Sequence, residues 1–422
     1  MEINVEKHSR LLIDCLKKPE TIPNSDLASR LKALSGEEWQ HVLELSKNQR
    51  VMPILLKRLR QKGLVKVLPD GVTQTLRNRM YETSLYNLRF YGELNKLLAV
   101  LNSHGIPLIL LKGIYLAKAV YGDIGLREMN DIDVLARPED LDRIVSIMTK
   151  MGYRSLQDQP IHSGITIRTH HHLPRMVKEN TGVEIHWNLT SPNQSYSIEP
   201  EGLWERALPI RTFSVEARTL SPEDLLLHLC MHVSYKHFFV FGLRPFVDIA
   251  ETISHNMHAL DWEIVKTRAI QNNWQKGVFL SLKLASDWLD AKVPADVLDA
   301  ICPAEQSDTL CDVARALVFS DKRIDHALPR PIADLLQSRG FKDKARILRD
   351  RVFLPKHHIA SIYSVPVDSF RIYLYYLRRL MDLLRRHNQI VKKYNQNDPA
   401  VKALVERKYL LAGWLAPSHD AS

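Results

Sequence analysis

Only four cysteines occur among 422 residues: Cys15, Cys230, Cys302 and Cys311. None belongs to a Cys-x-x-Cys pair and none stands at zinc-site spacing from a histidine. That excludes a disulfide scaffold and a structural zinc module, and reduced thiols are expected. No run of about 18 apolar residues exists, so no transmembrane segment is expected. The opening MEINVEKHSRLL has neither an apolar stretch of about 7–15 residues nor a small-residue cleavage site, so a cytoplasmic location is expected. The G-x-x-x-x-G-K phosphate loop and the H-E-x-x-H zinc pattern are both absent. There is no internal repeat and no low-complexity segment.

What is present is ordinary for a folded chain: 45% hydrophobic and 25% charged residues, with length for two or three domains. The net charge of +10 is unevenly placed. From Asp321 onward 20 Lys and Arg face 10 Asp and Glu, an excess equal to the whole net charge. Solvated helix faces explain such basicity, and so does an anionic partner, either nucleic acid or a membrane surface. The basic amphipathic stretch Asp368–Lys393 carries Phe370, Tyr373, Leu377, Leu380 and Leu384 on one face. Docking of that face on the preceding helices is the expectation, with an anionic membrane as the alternative.

Periodicity divides the chain. Residues 1–104 read as helices, with N-cap signals at Asn24-Ser25-Asp26 and Ser35-Gly36-Glu37-Glu38. A long helix over Gly71–Asn102 carries an apolar stripe including Leu76, Met80, Leu85, Leu88, Leu94, Leu97 and Leu101. Residues 105–190 change period and form an α+β unit of mixed sheet. Its strands are expected at Pro107–Leu111, Asp131–Leu135, Ile165–Arg168, Leu173–Val177 and Val183–Trp187, the last two as a hairpin. Helices are expected at Gly113–Tyr121 and Pro138–Met151. Residues 191–220 read as a polar connector. Ser221-Pro222-Glu223-Asp224 then starts a helical region, 221–365, whose pattern runs to about Phe353. Basic helices fill 366–422.

The chemistry centres on Gly105 to Gly152. Asp131 and Asp133 lie two apart on a strand and so share a face, where two carboxylates can hold divalent cations. A second pair, Asp140-Leu141-Asp142, falls on a helix, where such residues point apart, and is expected to be solvated surface. Glu184 and His186 share one face of the strand Val183–Trp187, and a carboxylate inside an apolar sheet wants a partner such as a metal. Gly113 stands where a strand turns into a helix, so backbone N–H groups beside Lys112 could meet a phosphate. Arg127 offers a planar fork for a triphosphate. His170-His171-His172 precedes a strand and could point one ring toward the site, but a cap or surface place is the expectation; His228 and His232 are expected packed or hydrogen-bonded in a helical domain, and Arg244 paired with Asp248 four residues on.

Together Leu111-Lys112-Gly113, Tyr121-Gly122-Asp123, Arg127, Asp131-Ile132-Asp133 and Val183-Glu184-Ile185-His186-Trp187 resemble the uncharacterised nucleotidyltransferase family of the polymerase-beta-like nucleotidyltransferase superfamily. The helix start at Ser221 to His228 is similar too. The resemblance covers roughly Gly105 to Ile253. It implies a polymerase-beta-like core between helical regions, and Asp131, Asp133 and Glu184 as catalytic metal ligands. It further implies nucleotide binding at Lys112, Gly113 and Arg127, two Mg²⁺ ions (with Mn²⁺ as an alternative), and transfer of a nucleotide from an NTP substrate to an unidentified acceptor. The superfamily's glycine-serine signature is replaced here by Lys112-Gly113. Two other readings stay open: a metal-dependent glycosyltransferase using Asp131-x-Asp133 for a nucleotide-sugar, and an inactive binding scaffold. The helical first hundred residues argue against the glycosyltransferase.

Overall fold

The computed structural model describes residues 2–19, 24–155, 170–190, 198–212, 215–304, 308–320, 352–354, 356–363, 365–366 and 368–416, with single residues Ile324, Ile332, Leu336 and Arg349. Two units are distinguished. One comprises Met1–Gln157, Ile161–His237 and Phe241–Gln306, and the other is built chiefly from Ser307–Ser422. Among the described residues the fold is α+β, with one mixed sheet of seven strands.

Among the described residues, helices dominate the chain through Ser103, as the periodicity requires. Ser35 and Glu38 close a reciprocal capping box, worth about 1 kcal/mol, at the start of helix Gly36–Asn48. The long helix Asp70–Ser103 follows. Its lower half behaves as expected, with Leu94, Leu97 and Leu101 buried against the sheet. Its middle does not: Leu85 and Leu88 are exposed, and Thr83, Asn87, Phe90 and Tyr91 face inward instead. The reason is the loop it supports. Asn87 Nδ2 donates to the carbonyls of Ile124 and Arg127, so the inward face there must be polar.

The strands are β1 (Ile109–Leu110), β2 (Ile132–Leu135), β3 (Arg154–Ser155), β4 (Met176–Lys178), β5 (Thr181–His186), β6 (Leu208–Thr212) and β7 (Val215–Thr219). Their order in the sheet is β3-β4-β5-β2-β1-β7-β6. β2 lies in the middle, antiparallel to β1 and parallel to β5. All four β2 residues are buried, which explains their continuous apolar run broken only by Asp133. The β4–β5 hairpin forms as expected, with Met176 opposite Val183. The strand expected at Ile165–Arg168 lies outside the described residues, as does most of the helical pattern between 321 and 351.

The stretch read as a connector is a correction. Residues 198–220 hold helix Pro200–Arg206 and the β6–β7 hairpin, and β7 adds parallel to β1. The hairpin was hidden because it lies at the sheet edge, where outward residues are polar and Pro209 is tolerated. Asp140 is also corrected. It is buried and accepts from Arg143 Nη1 at 2.8 Å, while Asp142 alone stays exposed.

Beyond the sheet, Ser221 caps helix Pro222–Met231 through the Asp224 N–H. The buried Asp224 carboxylate accepts from Arg206 at 2.8 Å and Arg268 at 2.9 Å, joining three helices. A π-helical turn, His232–Lys236, continues this helix before Arg244–His255 begins.

Candidate functional site

Strand pairing places the first two side chains. β2 and β5 run parallel with Asp133 beside Glu184. Two residues on, His186 shares the Glu184 face. One ligand atom from each of Asp133, Glu184 and His186 lies within 4.8 Å of the others. Asp131 precedes β2 and stands outside that trio, but it feels the charges of Asp133 and Glu184.

Lys112 closes the cluster. Its Nζ donates to Asp133 Oδ1 at 3.0 Å, and His186 Nε2 meets the same oxygen at 3.0 Å. Leu111 N–H donates to the Asp133 carbonyl, so the strand end that aims Lys112 is tied to the strand bearing its partner. Lys112 has φ +44°, a left-handed conformation uncommon outside glycine, as the chain turns from β1 into helix Lys112–Ala119. The N-cap residue, Leu111, makes no side-chain cap hydrogen bond, and among the described residues no side chain accepts from the first N–H groups of the helix.

Gly113 matters for closeness. A Cβ there would meet Met129 Cγ at 3.0 Å and would run into Arg127 Nη1. Arg127 has no freedom to withdraw. Its Nε and Nη2 each donate to Asp248 at 2.8 Å, and both side chains are buried. Gly113→Ala is therefore expected to cost roughly 1–3 kcal/mol through overpacking, read as a lower Tm. An unchanged Tm would mean that the Arg127–Asp248 pair yields.

The Arg127–Asp248 pair corrects the expected Arg244–Asp248 pairing. Tyr121 OH also donates to Asp248, at 2.7 Å, while Arg244 Nη1 turns to the Glu128 carbonyl at 3.0 Å. The loop from Tyr121 to Asn130 is thus pinned from several sides, and Arg79 holds the Glu128 carboxylate through two nitrogens. Arg127 reaches the site region only through Nη1, which packs against Gly113.

Electrostatics sorts the carboxylates. Burial works to raise Asp133, but the Lys112 charge and the His186 hydrogen bond outweigh it and hold the carboxyl well below its usual range. Asp131 is pushed up to about 6 by burial, then by the charges of Asp133 and Glu184. Burial takes His186 down to about 3, so its ring is neutral despite touching Asp133.

Several groups at the site escaped sequence reasoning. His171 and His172, expected at the surface, set their rings 5.7 Å and 5.2 Å from that of His186. The cause is backbone pairing: Leu173 N–H donates to Ile185 O and Trp187 N–H to His171 O. Lys236, from the π-helical turn, donates to His171 Nε2 at 3.2 Å. Burial and then the Lys112 charge push Lys236 down to about 8. His228, by contrast, is packed in its helix as expected; it is fully buried and pushed well below its usual range by burial and then by Lys112.

The donor set suits a divalent cation. Two carboxylates, with a third beside them, gather in a half-dry corner, and the raised Asp131 carboxyl marks negative charge that a cation would relieve.

No curated protein and no solved structure matches the chain. Residues 35–290 match the model of the uncharacterised nucleotidyltransferase family, and with more than half of its length so covered the chain belongs to that family.

Proposed function

We propose that the protein transfers the nucleotidyl group of an NTP, ATP among them, to an acceptor hydroxyl with release of pyrophosphate. The observation that carries this reading is the pairing of Asp133 with Glu184 on adjacent parallel strands, with Lys112 and an uncapped helix start beside them. In this reading β1, helix Lys112–Ala119, β2 and β5 form a polymerase-beta-like core.

Asp131, Asp133 and Glu184 would hold divalent metal, Mg²⁺ or Mn²⁺, with His186 against Asp133. Metal ions bound there would supply charge neutralisation for the triphosphate, for the acceptor oxygen that attacks and for the pyrophosphate that leaves. The chain's own residues do the rest. The first N–H groups of helix Lys112–Ala119 meet the phosphates. Lys112, now bonded to Asp133, shifts its charge to a phosphate, and Lys236 adds a second cation on the helical side. Glu184 is the most exposed of the trio, at 23% against 9% for Asp133 and 3% for His186. It is the carboxylate an acceptor hydroxyl can reach, and it orients that oxygen and draws off its proton. The oxygen attacks the α-phosphorus, the bond to the bridging oxygen breaks, and the electron pair leaves with pyrophosphate. Positioning and charge stabilisation account for such catalysis.

The test is calorimetric titration of the full chain with each NTP in Mg²⁺ and in Mn²⁺, followed by pyrophosphate release in cell extract supplied with labelled NTP. Metal-dependent binding with label appearing on an acceptor is expected. No binding at millimolar NTP with either ion would overturn the reading.

A further inference from the structure

Helix Ile372–Asn395 leaves in the open much of the face expected to dock. Of that face, Phe370 is 80% exposed, Leu377 62% and Tyr373 58%, while Leu380 is half-buried; Leu374 and Met381 beside them are exposed too. The inward face is the mixed one. Ile372, Tyr375 and Tyr376 pack with Ile359, Ala360 and Tyr363 of helix Lys356–Tyr363. Tyr376 OH donates to Leu354 O, and Tyr363 OH to Asp382. Asp382 is the one acid between Ser369 and Asn397, and it lies on this inward side.

The outward residues Phe370, Leu374, Leu377 and Met381 alternate steps of four and three, a continuous stripe along the helix. Along its flank Arg371, Arg378, Arg385 and Lys392 recur every seven residues, and all four are exposed. Lys356 Nζ stands 5.0 Å from the Tyr373 ring, adding a cation at one end. A monomer rarely leaves so contiguous an apolar stripe in water without a use for it. The charge pattern selects the use. Were two copies to pair along the stripe, the seven-residue cations would hold one flank of the seam. Among the described residues the opposite flank, with Tyr373, Leu380 and Tyr394, offers no acid to meet them. Nucleic acid would use the cations but not the stripe. A surface that is anionic at its rim and apolar beneath uses both, with aromatic residues at the boundary.

We propose that this face docks on an anionic lipid surface, lying along it rather than crossing it. No helix among the described residues is long and apolar enough to cross a membrane. The inference does not depend on the transfer chemistry, since no residue of the site takes part.

The test is flotation of the full chain with phosphatidylcholine vesicles, with and without phosphatidylglycerol. Binding only to the anionic vesicles is expected. Arg385→Gln with Lys392→Gln should weaken it about thirty-fold, the effect of two cations near a charged surface. Leu374→Glu with Leu377→Glu should abolish it. Both double variants change exposed positions and should keep the wild-type Tm. The proposal is overturned if the wild type does not float. It is also overturned if the leucine variant binds as well as wild type, or if sedimentation gives a dimer that the leucine variant returns to monomer.

Discussion

Asp133→Asn is expected to lower NTP-dependent pyrophosphate release by about 10³-fold or more while the chain stays folded. The position concentrates more of the site than any other. It stands beside Glu184 in the register, accepts from Lys112, and meets His186. Asparagine keeps the shape but removes the charge that a cation and Lys112 both require. The same change leaves the Lys112 ammonium, mostly buried, without its anion. Losing a buried partner costs stability, but Asp131 and Glu184 gain by the loss of a repelling neighbour. The net change should be about 1–2 kcal/mol, in the ordinary range for a single substitution. Activity and stability are separated by Glu184→Gln. That side chain is partly exposed, and the His186 ring it meets at 3.7 Å is neutral, so release should fall with little movement of Tm. Asp142→Asn, on exposed helix surface, should change neither. Wild-type turnover by Asp133→Asn would sink the assignment of the site, whatever the melting curve shows.

Much of this arrangement was legible because strands obey a period of two. Once β2 and β5 are paired with Asp133 beside Glu184, Asp133, Glu184 and His186 fall on one side. Asp131 shares that parity, yet its carboxyl lies outside the trio that could hold one ion, because β2 begins only at Ile132. The histidines show where reading stops. The hairpin register, Met176 opposite Val183, would carry on to set His172 opposite Trp187. The observed bridge is His172 to His186. That one-residue slip decides which rings reach the site, and a slip of one exchanges the faces. Lys236 was hidden for a similar reason. It arrives by a π-helical turn, whose wider winding rotates it off the phase an α-helix would give. The β6–β7 hairpin escaped because an edge hairpin need not be apolar. The stripe on the long helix failed at Leu85 and Leu88 because polar Asn87 was needed inward to hold a loop.

Asp248→Asn is expected to be the more damaging half of the buried pair beneath the site, at about 3–5 kcal/mol. Arg127 and Asp248 are 7% and 3% exposed, and Asp248 also accepts from Tyr121. Removing the carboxylate leaves the Arg127 and Arg244 charges to repel without the anion that offsets them. Arg244 is already held down, to about 10, first by burial and then by the Arg127 charge. Arg127→Met should cost roughly half as much, since Arg244 sits one turn from Asp248 on the same helix and can supply the missing cation. This asymmetry, measured by chemical denaturation, is the signature of a structural pair with a spare arginine. The double variant Arg127→Met with Asp248→Leu should recover part of the loss, because no charge is then stranded. The same variants test the triphosphate role expected of Arg127. If Nη1 reaches a phosphate past Gly113, Arg127→Met raises the KM for NTP more than Asp248→Asn does at matched stability. Equal KM values would leave Arg127 as support for the Gly113 turn. A stable Arg127→Met protein with collapsed kcat/KM would instead make it a clamp on the nucleotide.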